Sequence, residues 1–594
     1  MSRITFSRRS PRTKRRRAAS VRLELEFLEA RNLLNGTPTN VLVNNPAEDT
    51  TVHDTQSETA IVLGANSSIV VAYNDDGSFS YPTNPTATGY SLSTNGGTSF
   101  TDQGSLPGNS PYWGGFDQVL ARSSKTGTIF LSDTSFNTNE PLSQDLPGER
   151  INIFRSLDNG ATYSPPLSAT PGFVAGVDNA DKPWIAVDNH PGPGYGNVYL
   201  VWTNFKIKND GSLSDAGIYF TSSTDDGQTW GPSGGIPIDA KPGSNSVQGA
   251  FVTVGPDHTA YVIWWYGGTS QNILMSKSTD LGQTFSDPVI VTRLNTNNIF
   301  DGDLGLTYSN TNSSSFRTPV FPQMAVNPVT GDIYVVYHDQ PKGNSKDKAD
   351  IFFTMSTDGG NIWSGPLRVN DDATTTDQWQ PALALTPDGM HLFISWYDRR
   401  NDPSNDSLID RYGAIGTVSG HTVNFAPNFR ITDVSFSPAL GQDSYVPANY
   451  MGDYDMATAD NNYFYTTWGD NRLSDAFFAN QPDVRFAQIP VGGLQDSALS
   501  LTSATLVAGS PTASFNPSAI PTTAPGLLTT QESMTPSVEI PNRVMPAGVE
   551  MAAVDQLFSA AAREHRRLPF SRLHPQGWWH ELAPRDDFLE PVTL

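Results

Sequence analysis

Seven apolar runs in this 594-residue chain end in clusters of aromatic, Asp, Asn or Arg residues. They read Tyr73-Asn74-Asp75-Asp76, Leu131-Ser132-Asp133, Trp202-Thr203-Asn204, Trp264-Trp265-Tyr266, Tyr337-His338-Asp339, Trp396-Tyr397-Asp398-Arg399-Arg400 and Trp468-Gly469-Asp470-Asn471-Arg472. Rings offer faces for the apolar side of a sugar, and carboxylates, amides and guanidiniums can hydrogen-bond its hydroxyls. Asp339, Asp398, Asp470, Arg399, Arg400 and Arg472 are therefore candidate substrate-binding residues. The plainer alternative is that each Asp caps its own turn and each Arg pairs with a neighbour. A second group comprises Arg317, in Phe316-Arg317-Thr318-Pro319, and the run Tyr450-Met451-Gly452-Asp453-Tyr454. Metal chemistry is not expected: the chain has no Cys and nine His, and only His338 falls at one of these run ends. No cofactor is expected either.

The elements that must position these residues repeat along the chain. The pattern Ser-x-Asp-x-Gly-x-Thr-aromatic appears as SLDNGATY at Ser156–Tyr163, STDDGQTW at Ser223–Trp230 and STDLGQTF at Ser278–Phe285. Weaker copies are STNGGTSF at Ser93–Phe100 and STDGGNIW at Ser356–Trp363. Such a pattern suits a tight hairpin. The Asp accepts N–H bonds of its own turn, the Gly supplies a positive φ, and the aromatic residue returns the chain to the interior. Around each copy lies a strand pair such as KPWIAVD with NVYLVWT, from Lys182 to Thr203. Units begin near Glu58, Phe116, Lys182, Val247, Val320, Gln380 and Tyr450, each with strands A to D and the Asp turn between C and D. A fixed repeat of this kind signals a radial or solenoid architecture. The last unit lacks a fourth strand after Asp483–Pro490, and Asn40–Asn45 is spare. Pairing the two would close a ring and hide both sheet edges.

The turn pattern resembles the Asp-box of the sialidase superfamily, over most of residues 40–490. The resemblance implies an all-β propeller of four-stranded antiparallel blades. The unit count here is seven, with six, the sialidase number, as the alternative. In such a propeller the A–B and C–D turns share one face, so the Asp turns are structural and the ends of strands B face the site. Sialidases hold a sugar carboxylate with three arginines, and use a tyrosine nucleophile polarised by a glutamate with an aspartate as acid/base. Arg317 resembles that family's F-R-I-P element, and Arg399 or Arg400 with Arg472 complete a possible clamp whose planar forks match a carboxylate. Tyr450 or Tyr454 would be the nucleophile and Asp453 the acid. No Glu stands out in the sequence as the tyrosine's partner. The implied function is a secreted, sialidase-like exo-glycosidase acting on glycans that bear acidic sugars. The alternative is a non-catalytic carbohydrate- or protein-binding surface propeller.

Charge and the chain ends bound the rest. Nine of the 37 basic residues lie in residues 1–22, leaving 28 against 60 acids in the body. An acidic body is a poor partner for phosphate backbones, so no nucleic-acid partner is expected, and a glycan or glycoprotein is. No apolar run approaches the roughly 20 residues that span a bilayer. Residues 1–38 read as a basic export leader. Within them Leu28-Glu29-Ala30-Arg31-Asn32-Leu33-Leu34 resembles the L-E-x-R-x-L-L leader of certain bacterial surface and secreted proteins. This implies secretion or cell-surface association. Residues 39–490 read as the propeller and 491–545 as a disordered linker rich in Ser, Thr and Pro. Residues 546–594 read as a tail with a helical stripe.

Overall fold

The computed structural model describes residues 36–494, apart from 48–51, 79–85, 108–111, 138–149, 175–176, 208–212, 243–246, 268–269, 297–301, 344–345, 444–448, 475–476 and 478. The leader up to residue 35, the linker from residue 495 and the whole tail assigned from sequence therefore lie outside the described residues.

Seven antiparallel sheets follow one another in a propeller. Blade 1 is Gln56–Leu63, Ile69–Asp75, Thr88–Ser93 and Thr101–Ser105; blade 2 is Tyr112–Arg122, Ile129–Asn137, Arg150–Ser156 and Leu167–Ser168. Blade 3 is Asp178–Val187, Val198–Ile207, Leu213–Ser223 and Gly231–Pro242; blade 4 is Val247–Val254, Ala260–Gly267, Gln271–Ser278 and Val289–Arg293. Blade 5 is Gln323–Val326, Ile333–Asp339, Asp350–Ser356 and Leu367–Arg368; blade 6 is Gln378–Leu385, His391–Asp398, Asp410–Ser419 and Thr422–Phe425, with Phe429–Arg430 also pairing its third strand. Blade 7 is Ala457–Ala459, Tyr463–Ser474, Ala479–Pro490 and, from the start of the chain, Val41–Leu42. Val41 pairs with Phe486 and Leu42 with Arg485, so the ring closes as the spare strand predicts. Arg472 and Asn40 fasten this seam: the guanidinium donates to Asn40 Oδ1 at 3.1 Å, and the Asn40 amide donates to the Ile431 carbonyl at 2.9 Å.

The core lies between neighbouring blades. Strand B is buried on both sides, so Val198–Trp202 and Ile333–Tyr337 read as continuous apolar runs rather than alternating ones. One cluster joins Tyr334, Val336 and Phe353 of blade 5 to Leu383, Ile394 and Trp396 of blade 6. Another joins Val43, Tyr465 and Phe486 at the seam to Ile69 and Val71 of blade 1.

The Asp turns set the spacing of these layers. In blade 4, Ser278 Oγ donates to Asp280 Oδ1 at 2.7 Å and accepts the Gly282 N–H at 2.9 Å; the Thr284 N–H reaches the same carboxylate at 2.9 Å. The Thr284 hydroxyl and N–H hold Asp280 down at about 2. This contribution is fully present above the free-carboxylate value near 4 and is lost as pH falls through about 2. Gly282 takes φ +86°, and a Cβ there would lie 2.6 Å from the ring of Phe220 in blade 3. The same holds at Gly160 against Val70, Gly227 against Phe130, Gly360 against Met275 and, across the seam, Gly97 against Phe486. The glycine thus serves the turn and also the approach of the preceding blade.

Strand A enters the ring through a bulge in five blades, with register shifts at Ser57/Ala60, Phe116/Val119, Asp181/Trp184, Gln248/Phe251 and Trp379/Ala382. The bulge places Glu58, Asp117, Lys182, Gly249 and Gln380 at φ between 51° and 69°. Four of these are not glycine, and each left-handed side-chain residue costs about 1–2 kcal/mol.

Gly160→Ala is expected to lower unfolding stability by about 1–3 kcal/mol, because the added methyl meets Val70 at a left-handed position. Gly365, where a Cβ would meet nothing within 4 Å, supplies the control. Urea denaturation that finds the two substitutions equally harmless would contradict the spacing role.

Candidate functional site

The bulged residues meet segments from the two long connections on the D–A side. One runs from blade 4 to blade 5 and carries the hairpin Leu306–Thr307 with Ser315–Phe316, then Arg317. The other runs from blade 6 to blade 7 and carries Tyr450, Asp453 and Tyr454. They cross each other: the Arg317 N–H donates to the Asn449 carbonyl at 2.8 Å and the Tyr308 hydroxyl to the Pro438 carbonyl at 2.9 Å. The sequence places Tyr450, Asp453 and Tyr454 at the start of the last A strand. The ladder instead begins at Ala457, so these three lie in the covering connection.

At the axis, the Tyr450 hydroxyl donates to Glu58 Oε1, which also accepts the Asp453 N–H at 2.9 Å. Glu58 Oε2 accepts the Asn74 amide at 3.3 Å. Arg317 Nε bridges both oxygens of Asp453, at 2.9 and 3.0 Å. Asp117 is hydrogen-bonded to Glu58 and also accepts the Lys182 backbone N–H at 3.3 Å. Asp181 accepts the Gln248 amide at 2.8 Å. Beside this group Asp455 accepts the Thr59 hydroxyl at 2.8 Å, the wholly buried Arg411 at 3.1 Å and the Gln380 amide at 3.2 Å. All of these side chains are buried.

Burial dominates their protonation. It pushes Glu58 up to about 7, with Asp453 adding to the effect. Burial and then Glu58 hold Asp117 well above the usual carboxylate range. Burial and then Asp117 raise Asp181 to about 7. Lys182 is lowered to about 8 by burial. Burial and then Glu58 keep the Tyr450 hydroxyl protonated. A protonated phenol donating to a glutamate of near-neutral pKa is a nucleophile-and-base arrangement.

The other residues named from sequence occupy different surroundings. The Tyr454 hydroxyl is spent on the Gln118 carbonyl at 2.9 Å, and its ring carries the Lys182 ammonium. Arg399 is wholly buried; it holds the Thr307 and Tyr308 carbonyls at 2.8 and 3.3 Å and so anchors the inserted hairpin. Arg400 pairs with Asp398 and Asp371, each at 2.9 Å, and Arg472 with Asp470 and Asp433. Asp398 and Asp470 each also accept the indole N–H of the Trp two residues earlier, at 2.8 and 3.0 Å. Asp339 caps the N–H groups of Asn295, Thr296 and Gln340. The strand-B ends therefore take the turn-capping arrangement. The three-arginine clamp expected from the resemblance is not assembled, because Arg399, Arg400 and Arg472 each hold a separate set of partners. The structure does bring Arg317, Asp453 and Tyr450 together.

Glu58, Asp117, Asp181, Lys182 and Gln248 are absent from the sequence-based set. Their one local signal is a polar or charged residue just ahead of the apolar run of strand A, as in Ser57-Glu58-Thr59-Ala60 and Asp181-Lys182-Pro183-Trp184. Among the described residues no cluster of His, Asp or Glu has metal-binding geometry. Two small cavities flank the cluster. One, of about 10 Å³, is lined by Lys182, Trp184, Phe251, Phe321, Asp453 and Tyr454, among others; the other, of about 20 Å³, lies beside Tyr450, Tyr397, Gln442 and Asn471.

No family model matches the chain, and no curated protein matches it. Solved structures similar to it include a protein of unknown function from Dyadobacter fermentans DSM 18053, at 16% identity over 61% of this chain and 94% of that one, TM-score 0.40. The α-L-arabinofuranosidase Arb93A from Fusarium graminearum is 12% identical over 77% of this chain and 99% of its own, TM-score 0.39. The intramolecular trans-sialidase from Ruminococcus gnavus is 13% identical over 75% and 96%, TM-score 0.35. The seven-bladed architecture rests on the strand pairing itself, and the activities of those proteins are their own.

Removing either partner of the Arg317–Asp453 pair leaves a buried charge uncompensated, at a cost of about 3–5 kcal/mol. Arg317→Met and Asp453→Leu are each expected to lose stability on that scale, and the double variant much less than their sum. Urea unfolding of the four proteins checks this; additive losses would show that the two side chains do not act as a pair.

Proposed function

We propose that the axial cluster is the catalytic centre of a sialidase-like exo-glycosidase, with Tyr450 as nucleophile and Glu58 as its base. The observation that carries this reading is the hydrogen bond from the Tyr450 hydroxyl to the Glu58 carboxylate. In the first half-reaction the phenol proton passes to Glu58 and the phenolic oxygen bonds to the anomeric carbon. The leaving oxygen takes its proton from Asp117, whose buried carboxyl is held protonated. In the second, water attacks the anomeric carbon, gives its proton to Asp117, and Tyr450 recovers its own from Glu58. Both cavities are far below the about 300 Å³ of an ordinary ligand pocket. Substrate therefore enters by parting the two crossing connections that carry Arg317 and Tyr450.

One observation favours the second reading, a non-catalytic carbohydrate- or protein-binding propeller: Arg317 is already neutralised by Asp453, under a closed cover. Export belongs to the proposal as well, resting on the basic leader; the full-length protein is then expected in the extracellular or surface fraction of its cell.

The deciding experiment is turnover of 4-methylumbelliferyl sialoside and of a panel of neutral aryl glycosides by the full chain. Tyr450→Phe and Glu58→Gln are each expected to reduce kcat by at least about 100-fold, the usual scale of general-base catalysis, while Gly365→Ala keeps it. No turnover of any glycoside would leave the binding reading standing. Activity is also expected to rise with pH through about 7 as Glu58 loses its proton, and to fall again as Asp117 does. Because the two carboxyls share a hydrogen bond, the apparent values belong to the pair. A rate flat between pH 5 and 8 would remove Glu58 from the base role.

A further inference from the structure

Lys182 stands apart from the other charged groups of the axis. It is 3% exposed, and its ammonium lies 3.2 Å from the ring centroid of Tyr454, 4.7 Å from Trp184 and 5.7 Å from Phe321. The side-chain nitrogen makes no hydrogen bond to any described residue, whereas Arg317 and Arg411 both donate to carboxylates. A buried ammonium whose N–H donors are unused is costly, because ring faces attract the charge without accepting its hydrogens linearly. Lys182 also lines the about 10 Å³ cavity, whose volume suits one oxygen atom. The cavity wall contains Trp184 packed on Phe251, ring centroids 4.4 Å apart, and Phe251 is only partly buried. An oxygen acceptor reaching this cavity would thus meet unused donors beside aromatic ring faces.

We propose that Lys182 recognises a carboxylate: an acidic sugar seats one carboxylate oxygen on its ammonium while the sugar ring lies against Phe251 and Trp184. This rests on the glycosidase reading and names the residue that grips its substrate in place of the unassembled arginine clamp. Charge bookkeeping favours an anion over a hydroxyl. The groups acting on Lys182 are Glu58, Asp117, Asp453 and Asp181, and Asp453 is paired with Arg317. Burial raises Glu58 and Asp181 to about 7 and holds Asp117 well above the usual carboxylate range, so below about pH 7 Glu58 and Asp181 are largely neutral and leave the charge of Lys182 poorly compensated. Above that pH Glu58 and Asp181 ionise, the ammonium itself begins to lose its proton near 8, and the site turns against anions.

The test is thermal melting of the full chain with glucuronate, and with glucose as the uncharged control, at pH 5.5 and 8.5. Glucuronate is expected to raise Tm at pH 5.5 and not at 8.5, glucose at neither. Lys182→Met is expected to abolish the shift, while Tyr450→Phe keeps it even where turnover is lost. An absent shift in the wild-type protein, an equal shift with glucose, or a shift that survives in Lys182→Met would overturn the proposal. Should Lys182→Met not fold, the wild-type comparison between the two sugars and the two pH values decides alone. Turnover surviving in Tyr450→Phe would defeat the catalytic reading while leaving the carboxylate site intact, so the two failures are separable.

Discussion

Everything in this ring depends on how closely one blade can approach the next, and five glycines set that distance. At Gly97, Gly160, Gly227, Gly282 and Gly360 an added Cβ would lie 2.1–2.8 Å from a side chain of the preceding blade. The contact is van der Waals and individually small, but it repeats around the ring and even across the closing seam, where Gly97 meets Phe486. Interiors packed to crystal density do not absorb an extra methyl without moving a sheet. A sheet moved in one blade would carry its strand A, and hence its axial residue, off the axis.

That axial position is where stability is given up. Strand A could enter the ring as a plain extended strand; instead it bulges in five blades and holds Glu58, Asp117, Lys182 and Gln380 in left-handed backbone. Bulges re-aim side chains, and strained non-glycine residues persist only where surrounding structure over-determines them. Here they gather four carboxylates, a lysine and an arginine in a space that largely excludes water. Low dielectric then decides protonation: with two cations for Glu58, Asp117, Asp181 and Asp453, burial raises Glu58 and Asp181 to about 7 and Asp117 well above the usual carboxylate range. The cluster holds protons where an exposed one would hold charge, which is what acid–base chemistry near neutral pH needs.

The two long connections give this cluster its cover and three of its members, Arg317, Tyr450 and Asp453. Arg399, buried against Phe316 and Trp379, holds the carbonyls of the first connection, and the first holds the second through Tyr308 and Arg317. Rim residues with the look of ligands thereby do structural tasks: Asp398 and Asp470 fix the arginines that follow them, and Arg472 fastens the strand that closes the ring.

Much of this was legible in the sequence because it is local. The Asp turns are closed by contacts within four residues, as from Ser278 to Gly282, so an eight-residue pattern identifies them. The strand pairs that recur around and beyond the five turns yield seven units, and the unit lacking a fourth strand points to Asn40–Asn45 as its missing edge. Arg317, Tyr450 and Asp453 could be named as a set, though only through a resemblance. What joins them was decided by the tertiary structure alone. Glu58 stands 392 positions from Tyr450, and Lys182 meets Tyr454 only because the connection between blades 6 and 7 reaches the strand-A bulge of blade 3. In sequence, Glu58 and Lys182 are charged residues ahead of apolar strands, like many solvated turn residues. Ring closure turns them inward and removes their water, and the same closure leaves Arg400 and Arg472 at the rim with the aspartates two residues before them. Local hydrogen bonds write themselves into short patterns; a site built by bringing the ends of a long chain together leaves no short pattern to read.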